Sequence, residues 1–520
     1  PEFDICSQFT TSEFAKALQV DALRSSHPIE VPVSSPDEID EIFDTISYSK
    51  GASIIRMLHS YLGDEAFRDG LRIYLKCHKY SNTVTEQLWA ALEEASGRPV
   101  GEMMDTWTKQ MGYPVLSLSA DGPDKVRVTQ QRFVADGSAN DEDKSLWFVP
   151  ISLTRADQPT EVNTHKFVLS KASDSLILPD ALKGQPLLAN VHSVGVYRTK
   201  YSKEMLPGIL TALQSDVLTP RDRFKIQSDM FALSRAGLMS TVDVLKVVKG
   251  FRDETNYTVW SSMAGSLGLI RTLVEESGDV ADFDKFILQL AQPSFEKLGW
   301  EEKSSDGHNE KLLRPLIIGM LGRAGHEKIV EEARRLFNSH CSQDVGDCDL
   351  SADLRAAVYS IVLKHGGQAE LDKVMQLYDK TDLQEERMRV LRTAGSVGSN
   401  LTTKVLDIAM SDRVRNQDKV MVIAGCTGSL QSRKITWQFF KDNWPQLKEM
   451  YAGLFLISYL IKSVCNSFVQ KADLDDISTF FETNPAPCER TVQQCIENIR
   501  GNHSQFERDS SALLQFFKSS

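Results

Sequence analysis

The chain has 520 residues, too many for one hydrophobic core, so roughly two to four domains are expected. Its 41% hydrophobic and 25% charged content is ordinary for a globular protein and excludes a disordered or fibrous polymer. A formal net charge of -12 argues against nucleic acid, because phosphate binding needs a surplus of Lys and Arg to replace counterions.

From Ser47 to about Pro114 the apolar spacing is helical. Ile54, Ile55, Leu58, Tyr61 and Leu62 recur at intervals of three and four, and Gly63 follows as a stop. A second helix is predicted through Phe67, Leu71, Tyr74 and Leu75. A third begins at Thr83-Val-Thr-Glu86, where a hydroxyl and a carboxylate three apart can satisfy free amides, and ends at Ser96-Gly-Arg-Pro99.

After Pro114 the pattern changes to short alternating runs at Val115, Lys125, Trp147, Lys166 and Leu187 onward to Tyr197, punctuated by turns at Asp121-Gly-Pro-Asp124 and Asp136-Gly-Ser-Ala-Asn-Asp. Alternation with frequent turns predicts a small β-sandwich ending near Tyr201. From Ser202 onward nearly every segment is an amphipathic helix, beginning with the pair Arg221–Gly237 and Val242–Phe251. Paired helices without a strict period predict an irregular solenoid of the HEAT or armadillo type with a concave groove. The resulting domains are 1–112, helical; 113–201, β-sandwich; and 202–520, helical solenoid.

The longest apolar run, Ala452 to Ile461, is about half the length a membrane span requires and reads as a buried helix, so no membrane partner is expected. Eight cysteines are spread thinly without a Cys-x-x-Cys pair, which suits reduced thiols and a cytoplasmic location. Sequons at Asn256, Asn400 and Asn502 carry no weight without secretion. The chain starts at Pro1 without an initiator Met or an apolar signal segment, so an upstream portion is expected to be missing.

Little in the sequence builds a catalytic centre by itself. No two histidines stand at i and i+4, the spacing that turns both imidazoles toward one ion. His326-Glu-Lys-Ile-Val330 has Val where the second ligand belongs and reads as surface helix. Ala264-Gly-Ser-Leu-Gly268 and Ala394-Gly-Ser-Val-Gly398 approach a nucleophile elbow but fall among helices, where they read as close packing or loop glycine. There is no phosphate loop and no dinucleotide fingerprint.

Three stretches carry a resemblance: Ser26-His-Pro-Ile29, the run Asp44-Thr-Ile-Ser-Tyr-Ser-Lys-Gly-Ala-Ser-Ile-Ile-Arg-Met-Leu58, and Trp107-Thr-Lys-Gln-Met-Gly-Tyr-Pro114. Together they resemble the back half of the catalytic domain of the gluzincin zinc aminopeptidases, nearest to the puromycin-sensitive branch, a thermolysin-like catalytic domain. Ser234-Arg-Ala-Gly237, Asn256-Tyr-Thr-Val-Trp260, Arg415-Asn-Gln-Asp418 and Trp437-Gln-Phe-Phe-Lys-Asp-Asn-Trp444 resemble that family's C-terminal helical domain, so the likeness spans nearly the whole chain.

The resemblance implies a zinc ion in the intact enzyme, on a His-Glu-x-x-His helix and a following Glu that would lie before Pro1, with none bound by this chain alone. It implies peptide substrates, the N-terminal catalytic half as partner, and an isolated fragment that is inactive. Tyr48 matches the family tyrosine whose phenol hydrogen-bonds the tetrahedral oxyanion, a role suited to a donor that is neutral at physiological pH, and an ordinary helix-start aromatic with a satisfied hydroxyl is its plain alternative. Phe43 matches an aromatic lining the pocket for the first side chain, and a core phenylalanine explains it nearly as well. Arg415 resembles a basic position able to meet a peptide carboxylate, and a surface salt bridge is its plain alternative. Loss of the upstream half would leave Ile54, Leu58 and Met104 on an uncovered apolar face. The competing reading is a helical-repeat scaffold or peptide-binding protein derived from such an enzyme.

Overall fold

In the computed structural model, which describes residues 4–34, 42–138, 143–160, 164–215, 217–278, 280–342, 350–453 and 455–519, the predicted helix after Ser47 has two parts. A wide turn over Ile46–Lys50 leads into a helix over Gly51–Leu62. Ile54, Met57, Leu58 and Leu62 are buried at the three-and-four spacing of one helical face. Gly63 ends the helix at φ 89°, a backbone value that a side chain resists. Residues 139–141 of the predicted turn, Cys348 and Leu454 lie outside the described residues.

The helices Asp64–Cys77 and Thr85–Ser96 pack together, and Gly70 allows the approach, since a Cβ there would come within 2.6 Å of a Leu92 methyl carbon. The cap of the second falls one residue later than predicted. The Val84 amide donates to Gln87 Oε1 at 2.9 Å, while the Thr83 hydroxyl shares a 2.6 Å hydrogen bond with Tyr74. A further helix, Val100–Thr108, brings in Met103, Met104 and Trp107.

The expectation of an uncovered apolar face at Ile54, Leu58 and Met104 is corrected here: each is at most 1% exposed. These helices pack on one another and, at Trp107, on the segment just before the strand that begins at Val149. The Trp107 indole donates to Phe148 O at 2.9 Å and its ring lies 6.2 Å from that of Trp147.

The strands are β1 Pro114–Ala120, β2 Lys125–Arg132, β3 Val149–Arg155, β4 His165–Leu169, β5 Ser173–Ile177, β6 Leu187–Ala189 and β7 Arg198–Tyr201. They form one sheet in the order β5-β2-β1-β7 and another in the order β4-β3-β6. β1 runs antiparallel to β2 with Leu118 opposite Val128, and parallel to β7 with Val115 opposite Arg198. Alternation places Val126 and Val128 of β2 and Val149, Ile151 and Leu153 of β3 in the interior. Gln130 is buried among them with its amide satisfied. Its Oε1 accepts the Trp147 amide, and its Nε2 donates to the carbonyls of Trp147 and Lys171, all at 2.9 Å.

The chain divides into two compact units, the first reaching Val247 and the second beginning at Val248. The helix Pro220–Arg235 belongs to the first, tied to β7 by a buried ionic cluster. Asp229 accepts from Arg198 at 3.1 Å, from the Thr199 amide at 2.9 Å and from Lys225. In the second unit alternate helices pack in a row: His308–Arg323, Ala352–His365, Gln384–Ala394, Asn416–Gly425, Phe455–Cys465 and Glu489–Lys518. The helices between them pack alongside, giving the predicted solenoid. Phe516 and Phe517 of the last helix meet Phe286 at 5.9 and 5.4 Å.

Candidate functional site

The site is built around the segment Asp44–Lys50. Asp44 stands two and three residues before amides with no helical partner, and its Oδ1 accepts from Ile46 at 2.9 Å and Ser47 at 3.0 Å. The Asp44 carbonyl accepts the Tyr48 amide at 3.1 Å. The Gly51 amide reaches back to Ile46 O, five residues away, so the turn is a π-type widening of the kind that recurs at functional sites.

The second half of the turn points inward. Ser49 donates to Glu13 Oε2 at 2.6 Å. Lys50, 0% exposed, pairs with buried Asp21 at 2.9 Å and donates to the Gly112 carbonyl at 3.1 Å. Asp21 also accepts from the Gly112 amide at 2.9 Å and the Ser26 hydroxyl at 2.6 Å. A buried charge pair is costly unless its atoms find further partners, and here Asp21 Oδ1 takes both hydrogen bonds while Oδ2 faces only the Lys50 ammonium.

Tyr48 points the other way. It is 61% exposed, and its hydroxyl has no hydrogen-bond partner among the described residues. The Phe43 ring, also exposed, lies 6.0 Å from the Tyr48 ring at 43°. Two of the three predicted site residues thus stand together on one surface.

The first half of the turn has an anchor that sequence reasoning did not assign. His27 is 6% exposed, with Nε2 at 2.7 Å from Asp44 Oδ2 and Nδ1 at 2.7 Å from the Pro28 carbonyl. Both ring nitrogens lie within hydrogen-bonding distance of an oxygen. Burial alone pushes the Asp44 carboxyl up. The His27 hydrogen bond and the amides of Ser47 and Ile46 outweigh it and hold the group below the usual carboxylate range. The available signal was the Asp-x-Ile-Ser spacing of a helix cap; the His27 contact spans 17 residues and has no local signature.

Arg415, in the second unit, precedes the helix Asn416–Gly425. Its Nε and Nη2 lie 2.8 and 2.7 Å from Asp418 Oδ2, and the side chain is half exposed. His326 caps the helix Glu327–Ser342, its Nδ1 accepting the Ile329 amide at 3.4 Å, and Glu327 is exposed. Among the described residues no three His, Cys, Asp or Glu side chains come together as a metal-ligand set. The described residues of this chain therefore do not fit a zinc ion by themselves.

Residues 186–501 match the ERAP1-like C-terminal domain, and residues 1–107, which contain the Tyr48 turn, match the Peptidase family M1 domain. The chain belongs to the M1 aminopeptidase family. Aminopeptidase M1-C of Oryza sativa subsp. japonica is 36% identical over 530 residues, covering 99% of this chain and 59% of the relative. The puromycin-sensitive aminopeptidase of Caenorhabditis elegans is 31% identical over 538 residues, covering 100% and 56%. Aminopeptidase 2, mitochondrial, of Saccharomyces cerevisiae is 32% identical over 527 residues, covering 100% and 54%. This M1 chain thus spans less than two-thirds of the length of each of these relatives. No helix among its described residues is long and apolar enough to cross a membrane.

Proposed function

We propose that this chain is the C-terminal portion of an aminopeptidase that releases N-terminal residues from peptides, with Tyr48 as the donor to the oxyanion formed during amide hydrolysis. The observation that carries the reading is an exposed phenol, unpartnered among the described residues, on a turn whose neighbouring side chains are pinned. A neutral donor aimed where negative charge develops is worth more than one aimed at the ground state, because its cost of orientation is met in advance by the fold. Phe43 beside it lines the pocket for the substrate's first side chain. Arg415, in the helical unit, offers its remaining guanidinium donors to a peptide carboxylate.

The zinc and its ligands come from the N-terminal catalytic half, and the isolated chain is inactive. The compartment we propose is the cytoplasm, supported by the absence of any disulfide among the described cysteines. The name of one relative puts that relative in the mitochondrion, so fractionation is the check.

The functional test is hydrolysis of fluorogenic aminoacyl amides by the purified chain, alone and mixed with a zinc-loaded N-terminal half from a relative. Silence alone and turnover on mixing is the expected result. Zinc-dependent turnover by the chain alone would overturn the assignment, and silence in both would favour a peptide-binding scaffold.

A further inference from the structure

We infer that His27 is a positioning residue for Tyr48, acting through Asp44. The inference rests on the reading of Tyr48 as the oxyanion donor.

The Asp44 carboxylate is held from both sides. Oδ2 takes the His27 ring at 2.7 Å, and Oδ1 takes the amides of Ile46 and Ser47 at 2.9 and 3.0 Å. The Asp44 main-chain oxygen takes the Tyr48 amide at 3.1 Å. Three consecutive amides of the turn therefore close on one residue, and the rotamer of that residue is set by a buried imidazole. The imidazole is fixed in turn by the Pro28 carbonyl at 2.7 Å. Because the Cα–Cβ direction follows the backbone, the path His27, Asp44, turn amides, Tyr48 determines where the phenol points.

The two halves of the turn have separate anchors, which makes the effect of His27 local. Ser49 on Glu13 and Lys50 on Asp21 hold the second half without reference to His27. Removing the imidazole leaves Asp44 Oδ2 without its partner and 26% of the side chain open to water, so the carboxylate can rotate outward and release the amides of residues 46 and 47. The helix Gly51–Leu62 stays in place while the phenol gains freedom. A displacement of about 1 Å at a catalytic donor costs on the order of 100-fold in rate.

The test is a double-mutant cycle in the full-length protein, with hydrogen exchange on the 520-residue chain as a readout independent of activity. His27→Gln is expected to lower kcat by roughly 10- to 100-fold with KM changed less than about twofold, and to cost less than about twofold further when Tyr48 is already Phe. In the chain itself, amides 46–48 should exchange faster while those of Gly51–Leu62 keep their protection. Equal loss in both Tyr48 backgrounds, or faster exchange along the whole helix, would make His27 a general structural residue and overturn the inference. If Tyr48→Phe alone keeps near-normal kcat, the oxyanion reading fails; if Tyr48→Phe is crippled and His27→Gln is not, only the positioning role fails. Should His27→Gln not fold, His27→Leu, which keeps an apolar body in the buried position but offers Asp44 Oδ2 no donor, runs the same cycle with the same outcomes.

Discussion

The Tyr48 turn and the Arg415 cap are both exposed positions with a polar group at the tip, and they differ in what that group is doing. At Tyr48 the neighbours are spent and the tip is free: Asp44, Ser49 and Lys50 each have fixed partners, and the phenol has none among the described residues. At Arg415 the tip itself is partnered, with two of its nitrogens on one oxygen of Asp418, three residues further along the chain. Exposure alone does not distinguish an available donor from a surface ion pair. The state of the surrounding hydrogen bonds does.

That contrast can be strained from either side. The largest effect on stability is predicted for Lys50→Met, which leaves Asp21 buried and charged without its partner. Loss of about 3–5 kcal/mol is expected in chemical denaturation, and a loss under 1 kcal/mol would mean the turn is not held from inside. Phe43→Ala should raise KM for substrates with a bulky first side chain by roughly 10-fold, from lost apolar contact, while leaving kcat nearly unchanged. Arg415→Ala should change stability by only about 0–1 kcal/mol, as exposed ion pairs do. An increase in KM confined to peptides, absent for aminoacyl amides, would give that residue the substrate contact proposed for it.

Acid should loosen the Tyr48 turn in a defined direction. Asp44 titrates below its unfolded value, so its contribution is complete above the ordinary carboxylate value of about 4 and is lost as pH falls through the folded value. The stability difference between the native chain and Asp44→Asn should therefore be constant above about pH 5 and shrink on acidification. A difference that grows in acid would show that the carboxylate is not the form holding the turn.

Much of the framework is legible in local pattern. The spacing of Ile54, Leu58 and Leu62 with Gly63 behind it specifies a helix and its end, and the alternation at Val126 and Val128 specifies a half-buried strand. β5 escapes such reading because Ser-Asp-Ser-Leu-Ile buries only Leu176, leaving no alternation to see. The cap at Val84 was displaced because Thr83 finds Tyr74, a partner nine residues away, and leaves the capping to Gln87. Ile54, Leu58 and Met104 were expected to lack cover because sequence reasoning assigned their packing to missing elements; in the folded chain they are buried all the same.

The candidate site divides along the same line. Tyr48 was proposed from a contiguous motif and Phe43 from its place just before it, and the structure adds what a motif does not carry: a hydroxyl unpartnered among the described residues, the adjacent ring and the inward anchors. His27, Glu13 and Asp21 reach the turn from 17 to 36 residues away, and contacts of that span depend on the fold being formed. The solenoid shows the same limit. Asn502 sits in a sequon, yet its side-chain amide is buried and donates to the carbonyls of Asn466 at 3.1 Å and Phe468 at 3.0 Å, an arrangement visible only once the helices are packed.

The most direct test of the role given to Tyr48 is the kcat of Tyr48→Phe in the full-length protein on an aminoacyl amide, measured beside KM. Loss of an oxyanion donor predicts a fall of about 100- to 1,000-fold in kcat with KM little changed. A kcat within about threefold of the unmodified protein would contradict it, since a phenol that touches the transition state cannot be removed at so small a cost.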